Sequence, residues 1–174
     1  AEEAEEDEES GEAEGGLTFG VTYWIETDFF RTIANSIDEE AVKDGNEIIV
    51  VDEEQDSTKQ IQTIEDFIAK GVDAVFLNPV DRDAIEPALN LLKEAGIPVI
   101  NFDTSVANMD LIDGYVATDN VQAGVLCAEA LLADFPDGAD IAVLNYPANS
   151  ACLDREQGFL DTIEGKDINI LETF

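Results

Sequence analysis

The residues of this chain best suited to chemistry are two aromatic pairs, Tyr23-Trp24 and Phe29-Phe30, and a set of short polar side chains: Asn78, Asp81, Asp103, Asp119 and Asn120. Together they suit reversible polar recognition. Aromatic faces pack against the C–H faces of a sugar or polyol, while each hydroxyl donates to a carboxylate and accepts from an amide or Arg. The parts of covalent chemistry are missing. The chain has no His, no P-loop, no glycine-rich dinucleotide fingerprint after a strand, no nucleophile elbow and no Cys/His cluster. No catalytic residue, cofactor or metal site is expected. With 41 acidic residues, a single carboxylate pair carries little information. An enzyme using Asp103 and Asp119 as acid–base or metal groups remains the enzymatic alternative.

Each candidate also has an ordinary structural role. Either Phe29 or Phe30 can pack beneath a helix in the core. Trp24, at the end of a strand, is read as a pocket wall. Asp103 precedes Thr104 and Ser105, so its carboxylate can cap a turn as well as meet a ligand. Asn78-Pro79 supplies an amide and a rigid turn, and Asp81, Asp119 or Asn120 can each cap a helix.

These residues fall at strand ends. The stretch Gly71 to Asp103 holds one complete β-α-β unit. Ala74 to Leu77 and Ile97 to Ile100 are short apolar runs without alternation, as in strands buried on both faces. Between them Ile85, Ala88, Leu89, Leu92 and Ala95 recur at helical spacing, with Asp81 or Asp83 as N-cap and Gly96 as a left-handed stop. That order implies a parallel pair with a right-handed crossover. Ligands of open parallel sheets bind beyond the carboxyl ends of the strands.

The same alternation runs through the chain. Strands are expected at Leu17 to Tyr23, Glu47 to Val51, Gly114 to Ala117, Ile141 to Leu144 and Ile168 to Leu171. Helices are expected at Phe29 to Lys43, Thr58 to Lys70, Val121 to Leu132 and Ala151 to Ile163, the second opened by a Ser57/Gln60 capping box. Gly45, Gly71 and Gly96 punctuate the helices. The fold class is therefore α/β with doubly wound parallel sheets. Phe174 directly follows an expected strand with nothing to cover it, which makes the sequence look cut short. Cys127 and Cys152 sit among apolar or small residues and read as buried free thiols, with a bridge between them the alternative.

Taken together, VFLNPVDRDAIEPALNLLKEAGIPVINFDT, YVATDN and DREQGF resemble the type I periplasmic sugar-binding proteins, which include the ribose- and galactose-binding proteins of ABC importers. The resemblance runs from about Phe19 to the chain end. It implies two flavodoxin-like lobes of the periplasmic-binding-protein-like I fold, closing on a monosaccharide or related polyol. Residues 17–117 would form the first lobe and 118–174 the start of a second, incomplete one. Carried over by position, Phe29, Phe30, Asp103 and Asn120 match family ligand contacts, and Arg155 matches a recurrent arginine near the cleft. The chain departs from the ribose-type pattern at Thr27-Asp28, where Asn-Pro is usual, and at Thr104 and Leu153, where arginines stand. The resemblance thus implies a sugar-binding role without specifying ribose. It implies a monomer outside the cytoplasmic membrane, periplasmic or lipid-anchored at the cell surface, delivering its ligand to an ABC permease. The effector-sensing core of a regulator is the runner-up, although an acidic segment stands where its basic DNA-binding helices would be.

Charge narrows the partners further. The formal net charge is -33, so nucleic acid and anionic membrane surfaces are poor partners. Residues 1–16 contain nine acids and no base, and are expected to be a disordered tether. The remainder still carries 32 acidic against 8 basic residues. Such a surface fits a high-salt setting, where screening removes self-repulsion. Unfolding free energy is therefore expected to rise from dilute buffer to molar salt; equal stability in both would contradict that adaptation.

Overall fold

A computed structural model describes residues 16–146 and 149–174. The expected acidic tether thus lies almost wholly outside the described residues. Among the described residues seven strands and five α-helices alternate, except that the fourth and fifth strands have no α-helix between them. They are β1 (Thr18–Tyr23), α1 (Asp28–Lys43), β2 (Glu47–Asp52), α2 (Ser57–Lys70), β3 (Ala74–Leu77), α3 (Glu86–Ala95), β4 (Val99–Phe102), β5 (Gly114–Val116), α4 (Asn120–Asp134), β6 (Ala139–Val143), α5 (Ser150–Ile163) and β7 (Ile168–Thr173). The first five strands form one parallel sheet in the order β2-β1-β3-β4-β5, and β6 pairs in parallel with β7 in a second.

Strand alternation explains the layers. Val75, Leu77 and Val99 point to the side where Ile64 and Phe67 of α2 and Ala88, Leu89 and Leu92 of α3 pack. Val21, Tyr23 and Phe102 point the other way, to Phe30 and Ala34 of α1. Gly20 makes room for the α2 layer, because a Cβ there would lie 2.5 Å from the Phe67 ring. In the second sheet, alternate residues of β6 are exposed, and Leu144 and Leu171 are open to solvent. The helices α4 and α5 meet backbone to backbone. A Cβ on Gly124 or Gly158 would fall 2.0 Å from the carbonyl oxygen of Arg155 or Val121.

Local signals explain the helix ends and correct several expectations. Gly71 and Gly96 take left-handed backbone angles at the ends of α2 and α3. The cap of α2 is Asp56, which accepts from the amides of Thr58 and Lys59, and not a Ser57/Gln60 box. Asp81 accepts from Asp83 and Ala84 N–H in the turn ahead of α3, which itself has no side-chain cap. The strand expected at Ile97 to Ile100 begins two residues later, after Pro98. Cys127 is exposed and Cys152 half-buried, both free. Cys127 lies beside the packed Gly124–Ala128 face of α4, so neighbouring apolar residues misrepresented its burial.

Gln60 was misread because it occupies a core position of α2, in helical register with Ile64 and Phe67, and is wholly buried. Its Nε2 donates to the Asn78 carbonyl at 2.9 Å and to Thr22 Oγ1 at 3.2 Å, while its Oε1 accepts from Val80 N at 2.8 Å. Thr22 passes the chain on, donating to Glu53 Oε1 at 2.5 Å, and Thr63 donates to Glu53 Oε2 at 3.2 Å. Glu53 has no exposed surface. Burial raises its pKa above the ordinary 4.5, although Thr22, Thr63 and the Lys59 charge pull it down. A carboxyl with a raised folded pKa binds its proton more tightly folded than unfolded. Its stabilising contribution is full below the unfolded value and lost as pH rises through the folded one. Relative to a Glu53→Gln variant, the native protein should therefore lose unfolding free energy as pH rises from 4.5 towards neutrality. A difference independent of pH in chemical denaturation would contradict this.

Candidate functional site

The strand order reverses between β1 and β3, and the crevice lies beyond the carboxyl ends of these strands. Loops after β1, β2, β3 and β4 supply one wall; Tyr146, Asn149 and Ser150 at the start of α5 supply the other. A cavity of about 250 Å³ opens between them, lined by Trp24, Gln55, Arg82, Thr104, Tyr146 and Ser150. It is mixed in character. An indole and a phenol stand beside amide, hydroxyl and guanidinium groups, as suits a small polyhydroxylated molecule.

The aromatic pairs divide into core and surface. Phe30 is 4 % exposed and forms the centre of a cluster, stacked on Tyr23 at 5.6 Å and edge-on to Trp24 and Phe29 at 6.3 and 5.1 Å. Phe29 sits at the edge of that cluster and is 56 % exposed at the start of α1. Trp24 is half-buried. The structural role thus falls to Phe30, which supports the rings that remain open. Tyr23 corrects an expectation. It is buried, and it borders a separate groove with Glu26, Arg31 and Asp38. Burial and then the charges of Glu26 and Asp52 raise its phenol pKa.

The polar residues divide in the same way. Asn78 has no exposed surface. Its Nδ2 donates to the Phe102 carbonyl at 3.0 Å, and its Oδ1 accepts weakly from Trp24 N at 3.5 Å. It ties the ends of three strands together beneath the crevice, and is not open to a ligand. Asn101 acts similarly one strand over: Nδ2 donates to the carbonyls of Leu77 and Thr104, and Oδ1 accepts from Val106 N. Asp103 is half-buried and adopts φ 60°. Left-handed backbone at a non-glycine residue is uncommon and concentrates at functional sites.

After β5, Asp119 caps α4 by accepting from Gln122 N at 2.9 Å. Asn120 begins that helix and donates from Nδ2 to the Thr118 carbonyl at 3.2 Å. Its Oδ1 is buried and has no partner among the described residues. A buried acceptor left open in this way is suited to a donating hydroxyl. Arg155 is placed elsewhere. It is exposed along a groove with Cys127 and Ile141, between the second sheet and its helices, and does not line the crevice cavity. On α5, Leu153 and Arg155 flank Asp154, whose charge is felt at Tyr115 together with that of Asp103. Among the described residues no group of metal-ligating side chains gathers around one point, and no helix is long and apolar enough to cross a membrane.

Sequence reasoning missed Gln60, Asn101 and Tyr115. Gln60 had a usable signal, a polar residue at a core position of an amphipathic helix. Tyr115 had none, since its partner Asp103 belongs to the preceding strand.

Comparison with known proteins agrees with this geometry. Residues 19–174 match a family described as periplasmic binding protein domain. The ribose import binding protein RbsB of Bacillus subtilis is 37% identical over 139 residues, which cover 79% of this chain and 45% of that protein. RbsB of Escherichia coli is 27% identical over 144 residues, covering 82% and 48%. An ABC transporter solute-binding protein from Bacillus halodurans, solved with bound myo-inositol, superimposes with a TM-score of 0.85 at 25% identity over 93% of this chain and 58% of that one. A galactofuranose-binding protein gives 0.82 at 29%, over 91% and 55%. The chain spans about half the length of the curated relatives it matches. With a family match over nearly all its described residues and the same parallel α/β architecture, the chain belongs to the periplasmic binding protein domain family.

Proposed function

We propose that this chain serves as the ligand-capturing part of an ABC importer's solute-binding protein, taking a sugar or related polyol in the crevice and presenting it to a permease. Its place is outside the cytoplasmic membrane, and it acts as a monomer. The two walls correspond to lobes dividing near Ala117. One observation carries this reading: a cavity of about 250 Å³ beyond the carboxyl ends of the parallel sheet is lined by the half-buried Trp24 together with Gln55, Arg82, Thr104 and Tyr146. Relatives named for ribose or solved with myo-inositol support the ligand class.

Roles follow from placement. Phe29 and Trp24 offer ring faces, Asp103 accepts from ligand hydroxyls, and Asn120 Oδ1 accepts from the start of α4. Asn78, Tyr23 and Phe30 hold these groups in place. Arg155 lies outside the contact set. The carboxylates of the crevice favour neutral hydroxyl donors over anions.

Trp24 is the single tryptophan and lines the cavity, so its fluorescence reports on occupancy. Titration with D-ribose, D-galactose and myo-inositol is expected to give a saturable change with at least one. Asp103→Ala should weaken that response by about 10- to 100-fold, the loss of hydrogen bonds to a charged group. A flat Trp24 signal across the panel, confirmed by calorimetry, would contradict the reading.

A further inference from the structure

Asp103 keeps a strained backbone, and three bonds hold it there. Its N–H donates to the Val116 carbonyl at 2.9 Å, one rung beyond the last β4–β5 pair, Phe102 with Val116. Thr104 Oγ1 donates to Asp103 Oδ2 at 3.2 Å. The third bond comes from a side chain twelve residues away: Tyr115 Oη donates to the Asp103 carbonyl oxygen at 2.8 Å. With the N–H fixed on one side and the C=O on the other, both peptide planes around the Asp103 Cα are pinned. Rotation out of the left-handed region would break one bond or the other.

We propose that Tyr115 is a positioning residue for ligand capture: its hydroxyl locks the Asp103–Thr104 peptide, and so fixes the direction taken by the Asp103 carboxylate. This rests on the reading of Asp103 as a ligand contact given above. Tyr115 is suited to the task. The residue is 42 % exposed, so it contributes less to the core than a buried aromatic would, and its hydroxyl is committed to the Asp103 carbonyl at 2.8 Å, with the Ser105 side chain beside it. Partial burial, followed by the charges of Asp103 and Asp154, raises its pKa against a lowering bond from the Ser105 side chain, so the phenol stays protonated and able to donate. A carboxylate that is already oriented loses less freedom on binding, which strengthens affinity without any new contact.

A double-mutant cycle on the full chain tests the proposal, with D-ribose, D-galactose and myo-inositol as probes. Tyr115→Phe removes one oxygen and keeps the ring. It should weaken binding by about tenfold, the scale of one hydrogen bond, while the thermal midpoint stays at the wild-type value. Asp103→Asn should also weaken binding. In that background Tyr115→Phe should add less than about twofold, because the group it orients no longer makes its charged contact. Unchanged affinity in Tyr115→Phe, or the same loss in both backgrounds, would overturn the proposal while leaving ligand capture intact. If the wild type responds to no probe, the solute-binding reading fails instead. The ligand-free NMR shifts of Asp103 Cα and Thr104 N–H then decide: movement in Tyr115→Phe supports the lock, and unchanged shifts overturn it.

Discussion

The crevice depends on one buried amide. Gln60 has no contact with solvent, and each polar atom of its side chain is hydrogen-bonded to the carboxyl end of the first sheet. Leaving such a group unpaired in the interior would cost about 1–3 kcal/mol. The turn Asn78-Pro79-Val80 is therefore held where Gln60 needs it. From Asn78 the network passes to the Phe102 carbonyl, and Asn101 carries it to Leu77, Thr104 and Val106. These bonds run beneath the loops that bear Trp24, Arg82 and Asp103. A buried polar network that is fully satisfied specifies one arrangement of its loops, and the loops here are the ones that would meet a ligand.

That arrangement divides labour between two layers of side chains. Those below the crevice, Thr22, Glu53, Gln60, Asn78 and Asn101, have no exposed surface. Those above it, Trp24, Phe29 and Asp103, retain open surface. Phe30 plays the same supporting part for the aromatic side that Gln60 plays for the polar side. The acidic character of the chain limits what the upper layer can hold. Asp103 and Asp154, from the first and the last α/β segments, both raise the Tyr115 pKa. A ligand rich in neutral hydroxyls meets acceptors there without like-charge repulsion.

Much of the fold was legible because its signals are local. Glycines in left-handed turns end α2 and α3, apolar periodicity marks the helices, and short apolar runs mark the strands, so the alternating order and the parallel sheets followed. The site was legible only in outline. Strand-end positions were identified, but a sequence does not distinguish a polar side chain facing the crevice from one facing the neighbouring strand. Asn78 and Asp103 end adjacent strands and looked alike, yet one is wholly buried and the other half-open. Gln60 resembles half of a capping box because Ser57 stands three residues before it, but the helix is capped one residue earlier by Asp56 and Gln60 lies on its buried face. Arg155 was carried over from a family pattern, and the turn of α5 places it on another groove. Each error concerns direction in three dimensions, which periodicity alone does not supply.

Native-state hydrogen exchange at Val80 and Val106 tests the role of the buried network most directly. Both amides lie in loops and donate to side chains of the network, Val80 to Gln60 and Val106 to Asn101. If the network fixes the crevice, both will exchange as slowly as the β3 amides of Val75 and Leu77, through the same opening of the sheet. Exchange at the rate of unprotected loop amides would show that the crevice loops open independently, and would contradict the account.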